Sequence, residues 1–423
     1  MRDRRGFTLI ETLVTVGLVS VMMIGLLTML ESSSRIAKQE TAVADAQGGS
    51  RAALYEVSRI LRQAGTGHLY WGNAVLPYAN NAAASTTLTD TNGALHTLRP
   101  GTDAIEVRGV LRGKVDYFGP ADVTCAGGDC VAGSGAITVT IRQTNAFGYQ
   151  NYPAGKRPEL AGRSGSFYYV ITTMLKQKVT VGATSYLVPL VVAGRVNTSG
   201  SWFTETATSF SFTMDATDTD ARRLNASNSP APVVQSPYCG GAVDDILLYV
   251  DRGAAEASSA TTFLRPYLAQ GLRDPATGRW DVHPLVTEVE DMQIAYGLDG
   301  AGGSTPDGGV DPMKATSGSA SDEWVLNASG ETLTSAGDPP AVAAFLDGSV
   351  ASVEPFLADA VPALKSITVS LLTISKTPDV RFRGAGALGI KLLDSTATSL
   401  SAATGLPYRR RVQSMAVNLR NFS

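Results

Sequence analysis

The stretch Arg5–Leu30, RGFTLIETLVTVGLVSVMMIGLLTML, decides how the rest of the chain is read. A short basic leader containing Arg2, Arg4 and Arg5 ends at Gly6. It precedes 24 residues, Phe7–Leu30, interrupted by one ionisable side chain, Glu11. As a helix, such a run spans the roughly 30 Å hydrocarbon core of a bilayer. Basic residues ahead of it predict a cytoplasmic N-terminus and a body on the outer side. A cleaved secretory signal would carry an apolar run of about 7–15 residues and then a small-residue cleavage site. This run is longer, and no such site with a turn follows it. An ordinary single-pass anchor leaves Glu11 unexplained. A carboxylate inside an apolar helix is costly, so it marks a function and implies a partner.

Beyond Leu30 the chain has room for one large or two modest domains, since it totals 423 residues. Charged residues make up only 17%, against 43 glycines and 20 prolines, which predicts strand, turn and loop rather than further long helices. A net charge of −3 gives no global drive toward nucleic acid. Cys125 and Cys130 flank the flexible Ala126-Gly127-Gly128-Asp129, so they are expected to bridge in the oxidising exterior, leaving Cys239 free. The alternative is three unpaired thiols. A zinc site is disfavoured, because no second Cys/His pair accompanies this one.

The helix is expected to run on through Glu31–Ala64, with a soft spot at Gly48-Gly49. Leu54, Val57, Leu61 and Ala64 recur at helical spacing, among polar Arg51, Glu56, Arg59 and Arg62. This half should pack on a sheet, and Gly65-Thr66-Gly67 should end it. From Phe7 to Ala64 it would measure about 87 Å. After Gly67 the period changes to two. Ile105 and Val107 alternate with Glu106 and Arg108, and Ile137, Val139 and Ile141 with Thr138, Thr140 and Arg142. Phe167–Leu175, Tyr186–Val192, Asp245–Val250, Ile367–Ile374 and Met415–Leu419 are further candidate strands. Asn80–Gly93, Asn197–Thr219 and Gly300–Gly337 read as surface loops or insertions. One helix followed by many strands is α+β rather than alternating β-α units.

Arg5-Gly6-Phe7-Thr8-Leu9-Ile10-Glu11 resembles the signal of type IV prepilins. The resemblance implies cleavage by a prepilin peptidase after Gly6, N-methylation of Phe7, and a requirement for Glu11 in assembly. Glu11 of an incoming subunit would pair with the Phe7 amino group of a neighbour, inside a bundle where both charges otherwise lack partners. Further along, Ser50–Gly67, Gly101–Gly109, Leu285–Asp299, Ile367–Lys376 and Arg409–Asn421 resemble, in order, segments of PilW-type minor pilins. Thr28 stands where major pilins usually carry a helix-kinking proline. The loop after Asp299 and the stretch Glu331–Pro362 look like insertions.

Catalytic chemistry is hard to find. His68, His96 and His283 form no paired ligand arrangement and read as surface or loop histidines. Gly384–Gly389 matches GxGxxG but opens no crossover helix. No phosphate-loop lysine or nucleophile elbow occurs. These readings point away from an enzyme. Asp299, Asp307 and Asp311 lie in a glycine-rich loop suited to calcium, although AGGSTP breaks the tight spacing of a calcium loop. PilW-like chains often carry an Asp/Gly-rich segment there. Asp215, Asp218 and Asp220 form a weaker cluster. Lys156-Arg157, Arg222-Arg223 and Arg409–Arg411 are basic clusters without the interleaved aromatics of a nucleic-acid platform.

The resemblance therefore implies a pilin plan. Residues 1–6 are the leader, 7–30 the membrane and assembly helix, 31–65 an amphipathic continuation, and 66–423 a β-rich head with large loop insertions. The expected function is a minor type IV pilin that primes pilus assembly and sits at the tip, with roles in adhesion and twitching motility. It would reside in the inner membrane before assembly, its head on the periplasmic and then extracellular side. Implied partners are the prepilin peptidase, other minor pilins, the major pilin and a tip adhesin. A type II secretion pseudopilin, or a tip protein that binds DNA or surfaces, are the alternatives.

Overall fold

The computed structural model describes residues 8–66, 75–79, 86–125, 136–145, 147–163, 165–173, 177–181, 184–188, 191–215, 238–253, 265–274, 277–299, 310, 324–326, 363–375, 391–392, 395–396 and 410–419. Its first element is one α-helix, Leu9–Arg62, of 54 residues, about 81 Å at 1.5 Å per residue. The apolar Leu9–Leu30 half is exposed to the surroundings along its length. By length and composition it can cross a membrane. In the other half Ala53, Leu54, Val57, Ile60, Leu61 and Ala64 are buried. Their three- and four-residue spacing puts them on one stripe, and that stripe docks the helix on the head. Each fully buried aliphatic chain there contributes roughly 1.5–3 kcal/mol before entropy is counted.

The helix runs through Gly48-Gly49 without a break. A Cβ on Gly49 would lie 3.6 Å from Val286 Cγ1, so this glycine sits where the helix runs close to the Trp280–Thr287 strand. The helix ends as expected, with Gln63 as C-cap and Gly65 at φ +70°. Its end is tied to the Ala104–Gly109 strand: Gly65 N–H donates to Arg108 O at 2.9 Å and Val110 N–H to Thr66 O at 3.1 Å. Gly109 permits this approach, because a Cβ there would lie 2.9 Å from Gln63 O.

Two main sheets follow, and among the described residues their ladders are antiparallel. The larger has 12 strands organised along Tyr238–Asp251. Residues 238–243 of that strand pair with Phe167–Thr173, and 244–248 with Ala104–Gly109. The smaller sheet runs in the order Trp324–Leu326, Val289–Asp299, Ala363–Ile374, Arg410–Asn418. Period-two burial explains the three cores. Ile246, Leu248 and Val250 join the helix and the smaller sheet in the main core. Leu247 and Tyr249 point the other way, toward Leu98 and Trp280. A third core gathers Phe118, Ile137, Val139, Ile141, Tyr169, Phe210 and Phe212. The architecture is α+β with a pilin-like arrangement: one long N-terminal helix, then a mostly antiparallel β head.

Several local expectations need correction. Asn197–Thr219 is not one loop, since Phe203–Glu205 and Ser209–Asp215 are paired strands. Phe210, Phe212 and Met214 alternate into the third core. Asn80–Gly93 contains the strand Thr87–Thr89, and Gly300–Gly337 contains Trp324–Leu326. Tyr186–Val192 is divided between Thr184–Val188 and Val191–Val196, which belong to different sheets.

Candidate functional site

The N-terminal candidates stand at a helix start. Gly6 and Phe7 lie outside the described residues; Thr8 and Glu11 are within them. Thr8 is the N-cap with extended backbone, and Glu11 occupies the third helical position, making a reciprocal capping box. Glu11 N–H donates to Thr8 Oγ1 at 3.4 Å. In return, Glu11 Oε2 accepts from Thr8 N–H at 3.1 Å and from Thr8 Oγ1 at 3.0 Å. A carboxylate also gains from the positive end of the helix dipole. Both contacts use Oε2, so Oε1 has no donor among the described residues and can receive one from outside the chain.

The other polar groups of the apolar half are satisfied within the helix. Thr12, Thr15, Ser20 and Thr28 donate their hydroxyls to the carbonyls of Leu9, Glu11, Val16 and Gly25, respectively, at 2.8–2.9 Å. Such back-bonding removes the cost of placing hydroxyls in hydrocarbon. Glu11 alone carries a charged oxygen without a donor in this half.

The remaining sequence candidates are scattered. Cys125 ends the Val123–Cys125 strand, while Cys130 lies outside the described residues. Cys239 is fully buried on Tyr238–Asp251 as a free thiol, and burial pushes it up to about 12. Asp299 is the last residue of the Val289–Asp299 strand; Asp307 and Asp311 lie outside the described residues. Among the described residues no three His, Cys, Asp or Glu side chains are placed to hold a metal ion. Asp215 ends a strand, and Asp218, Asp220, Arg222 and Arg223 lie outside the described residues, as do His68 and Gly384–Gly389.

Two readings change on contact with the fold. His96 is not a surface histidine. It is buried, with Nδ1 2.9 Å from Asp251 Oδ2 and Nε2 3.7 Å from Asp90 Oδ2. The basic run before the last strand does not simply face solvent either. Arg410 Nε donates to Glu290 Oε2 at 2.7 Å in a nearly buried contact. Arg157 pairs with Glu205 at 2.9 Å.

Comparison with known families agrees with both ends of the chain. Residues 1–27 match the prokaryotic N-terminal methylation motif. Residues 248–421 match the family described as Type IV Pilus-assembly protein W. No curated protein and no solved structure gives a significant match.

Proposed function

We propose that this chain, whose two ends match those of PilW-type prepilins, is a minor type IV pilin. In this reading it primes assembly with other minor pilins and stays at the tip, its head turned outward. The family is one of structural, pilin-type proteins. The observation that carries the reading is the capped helix start: a lone carboxylate at the head of an apolar helix, one oxygen held by Thr8 and one open. An incoming ammonium, the N-terminus of a processed neighbour, is the chemistry that oxygen would accept. Other pilins supply the rest of the apolar bundle through the exposed face of Leu9–Leu30.

The test is intact mass and N-terminal sequencing of membrane-extracted protein, with and without the prepilin peptidase. A chain starting at N-methylated Phe7, only when the peptidase is present, supports the proposal. A chain that keeps Met1–Gly6, or is cut after Leu30, removes the assembly role of Glu11. In the same reading Asp299, Asp307 and Asp311 hold calcium in the insertion that follows the Val289–Asp299 strand. A calcium-dependent rise in melting temperature, reversed by chelator and lost in Asp307→Asn, is the corresponding outcome.

A further inference from the structure

Where the Tyr238–Asp251 strand exchanges one set of partners for another, two low-exposure aspartates stand side by side, Asp244 and Asp245. Asp245 is taken by Arg108 at 3.1 Å. Asp244, whose side chain is 2% exposed, is shared by two arginines. Arg112 approaches Oδ1 through Nη2 at 3.1 Å and Nε at 3.3 Å, and its own N–H donates to Oδ2 at 3.0 Å. Arg163 is bidentate, with Nη1 3.0 Å from Oδ1 and Nη2 3.3 Å from Oδ2. Its guanidinium also lies over the Phe167 ring, 5.5 Å from the centroid. Both forks are therefore fixed before any ligand arrives.

A cleft of about 890 Å³ opens beside this cluster. That is within the range of small-ligand pockets. Its wall is bare in places: a Cβ on Gly162 or Gly165, both lining residues, would meet nothing within 4 Å. Basic and acidic side chains line the cleft in equal number, five of each, and two of the basic ones converge on Asp244. One buried aspartate faces two guanidiniums, and one arginine would satisfy it. Arg112 is 51% exposed, so its charge is not needed to bury anything. Lys114, also in the lining, donates to Asn151 O at 2.7 Å and Gln150 O at 3.3 Å, neutral groups both. The carboxyl of Asp116 in the same wall takes the Tyr169 hydroxyl at 3.0 Å. Burial pushes its pKa up to about 7. Glu159, Asp274 and Asp281 also line the cleft and repel anions, the more strongly the more charge the anion carries.

We propose that Arg112, Arg163 and Lys114 form a receptor for one carboxylate of a small ligand entering this cleft. The inference stands apart from the assembly reading, which concerns the other end of the molecule. Asp244 takes Nε and Nη2 of Arg112, and the end of that guanidinium carrying Nη1 is left to hold a planar carboxylate in parallel hydrogen bonds. The group would come either from an acidic sugar or from a glutamyl side chain.

The test is calorimetric titration of the full-length protein in detergent, at constant ionic strength, with sodium glucuronate, with the amide of N-acetylglutamate, and with inorganic phosphate. Saturable 1:1 binding of a carboxylate is expected, weakened at least ten-fold in Arg112→Gln and equally in Arg112→Lys, which keeps the charge and loses the fork. Gly162→Asp places a competing carboxylate in open space, leaves the Asp244 cluster intact and should weaken binding to a similar degree; Gly162→Ala should not. Tighter glucuronate identifies the sugar source, and tighter glutamyl amide the peptide source. The proposal is overturned if neither carboxylate saturates, if both arginine variants and Gly162→Asp bind as the parent does, or if phosphate binds more tightly than both carboxylates.

Discussion

Arg410 on the last strand and Glu290 on the Val289–Asp299 strand meet in the smaller sheet, Nε to Oε2 at 2.7 Å and Nη2 to Oε1 at 3.2 Å. Arg99, from the segment before the Ala104–Gly109 strand, adds its Nη2 to Oε1 at 3.3 Å and donates Nη1 to the Glu290 carbonyl. One nearly buried carboxylate thus joins the C-terminal strand, the centre of the smaller sheet and a segment held to the Tyr238–Asp251 strand of the larger one, where Arg99 N–H donates to Val250 O at 2.9 Å.

Removing that carboxylate leaves Arg410 without its ion-pair partner in a nearly dry site and takes one acceptor from Arg99, which keeps the charge of Asp291 nearby. Breaking a buried pair from one side costs about 3–5 kcal/mol. Glu290→Ala should lower stability by that order, read by urea unfolding with tryptophan fluorescence. Arg410→Met should cost less, because Glu290 keeps Arg99. A Glu290→Ala protein within about 1 kcal/mol of the parent would mean that the trio does not tie the sheets together.

Cys239 gives a direct count of thiols. It is fully buried, with its pKa pushed up to about 12 by that burial, and the thiolate is the reactive form. Iodoacetamide at pH 8 should leave it unlabelled in the folded protein. In denaturant without reductant, one label per chain is expected if Cys125 and Cys130 are bridged, and three if they are not. Intact mass before and after labelling reads the difference.

Much of this fold was legible in the sequence, and the misses share a cause. The long helix was legible because its signal is unbroken hydrophobicity followed by a regular stripe. The strands at Ala104–Gly109 and Ala136–Arg142 were legible because alternation is visible over six or seven residues. Ser209–Asp215, SFSFTMD, alternates just as well. It was hidden because its outward residues are Ser and Thr, in a neighbourhood of Ser, Thr and Gly that reads as loop. Gly49 was read as a soft spot, although a glycine inside a helix can equally mark a close neighbour. Arg112, Arg163 and Asp244 could not be linked from sequence at all, since 132 and 81 positions separate the arginines from the aspartate. The Thr8–Glu11 pair needed only a spacing of three, and the capping-box pattern would have found it.

The buried His96 sets a pH dependence. Its hydrogen bond to Asp251 raises its pKa above the usual value near 6.5, and the charges of Asp251 and Asp90 act in the same direction. A group with a raised folded pKa contributes stability that is fully present below its unfolded pKa and is lost as pH rises through the folded one. His96→Gln should therefore be less stable than the parent at pH 6, with the gap closing as the solution becomes alkaline. Asp116 and Asp291, each pushed up to about 7 by burial, drive stability down over the rise from about pH 4 to 7. Both are present in parent and variant, so the difference between the two melting curves isolates His96. A gap that stays constant from pH 6 to 9 would show that the imidazole is not charged in the fold.

Thr8 and Glu11 act through one contact, which makes their substitutions non-additive. Thr8→Val removes the hydroxyl that reaches Glu11 Oε2 at 3.0 Å and accepts the Glu11 N–H. Losing such a cap costs about 1 kcal/mol at the helix start. The main-chain N–H of Thr8 still holds the carboxylate at 3.1 Å, so incorporation into filaments should fall only in part. On the proposed assembly reading, Glu11→Ala removes the acceptor for an incoming ammonium as well, and incorporation should be lost while the membrane pool remains. In the double variant the loss should match Glu11→Ala alone, because Thr8 then has no carboxylate to orient. The readout is the ratio of chain in sheared filaments to chain in the membrane fraction. If the double variant is clearly worse than Glu11→Ala, Thr8 serves assembly by a route of its own, and the capping box is not how it positions Glu11.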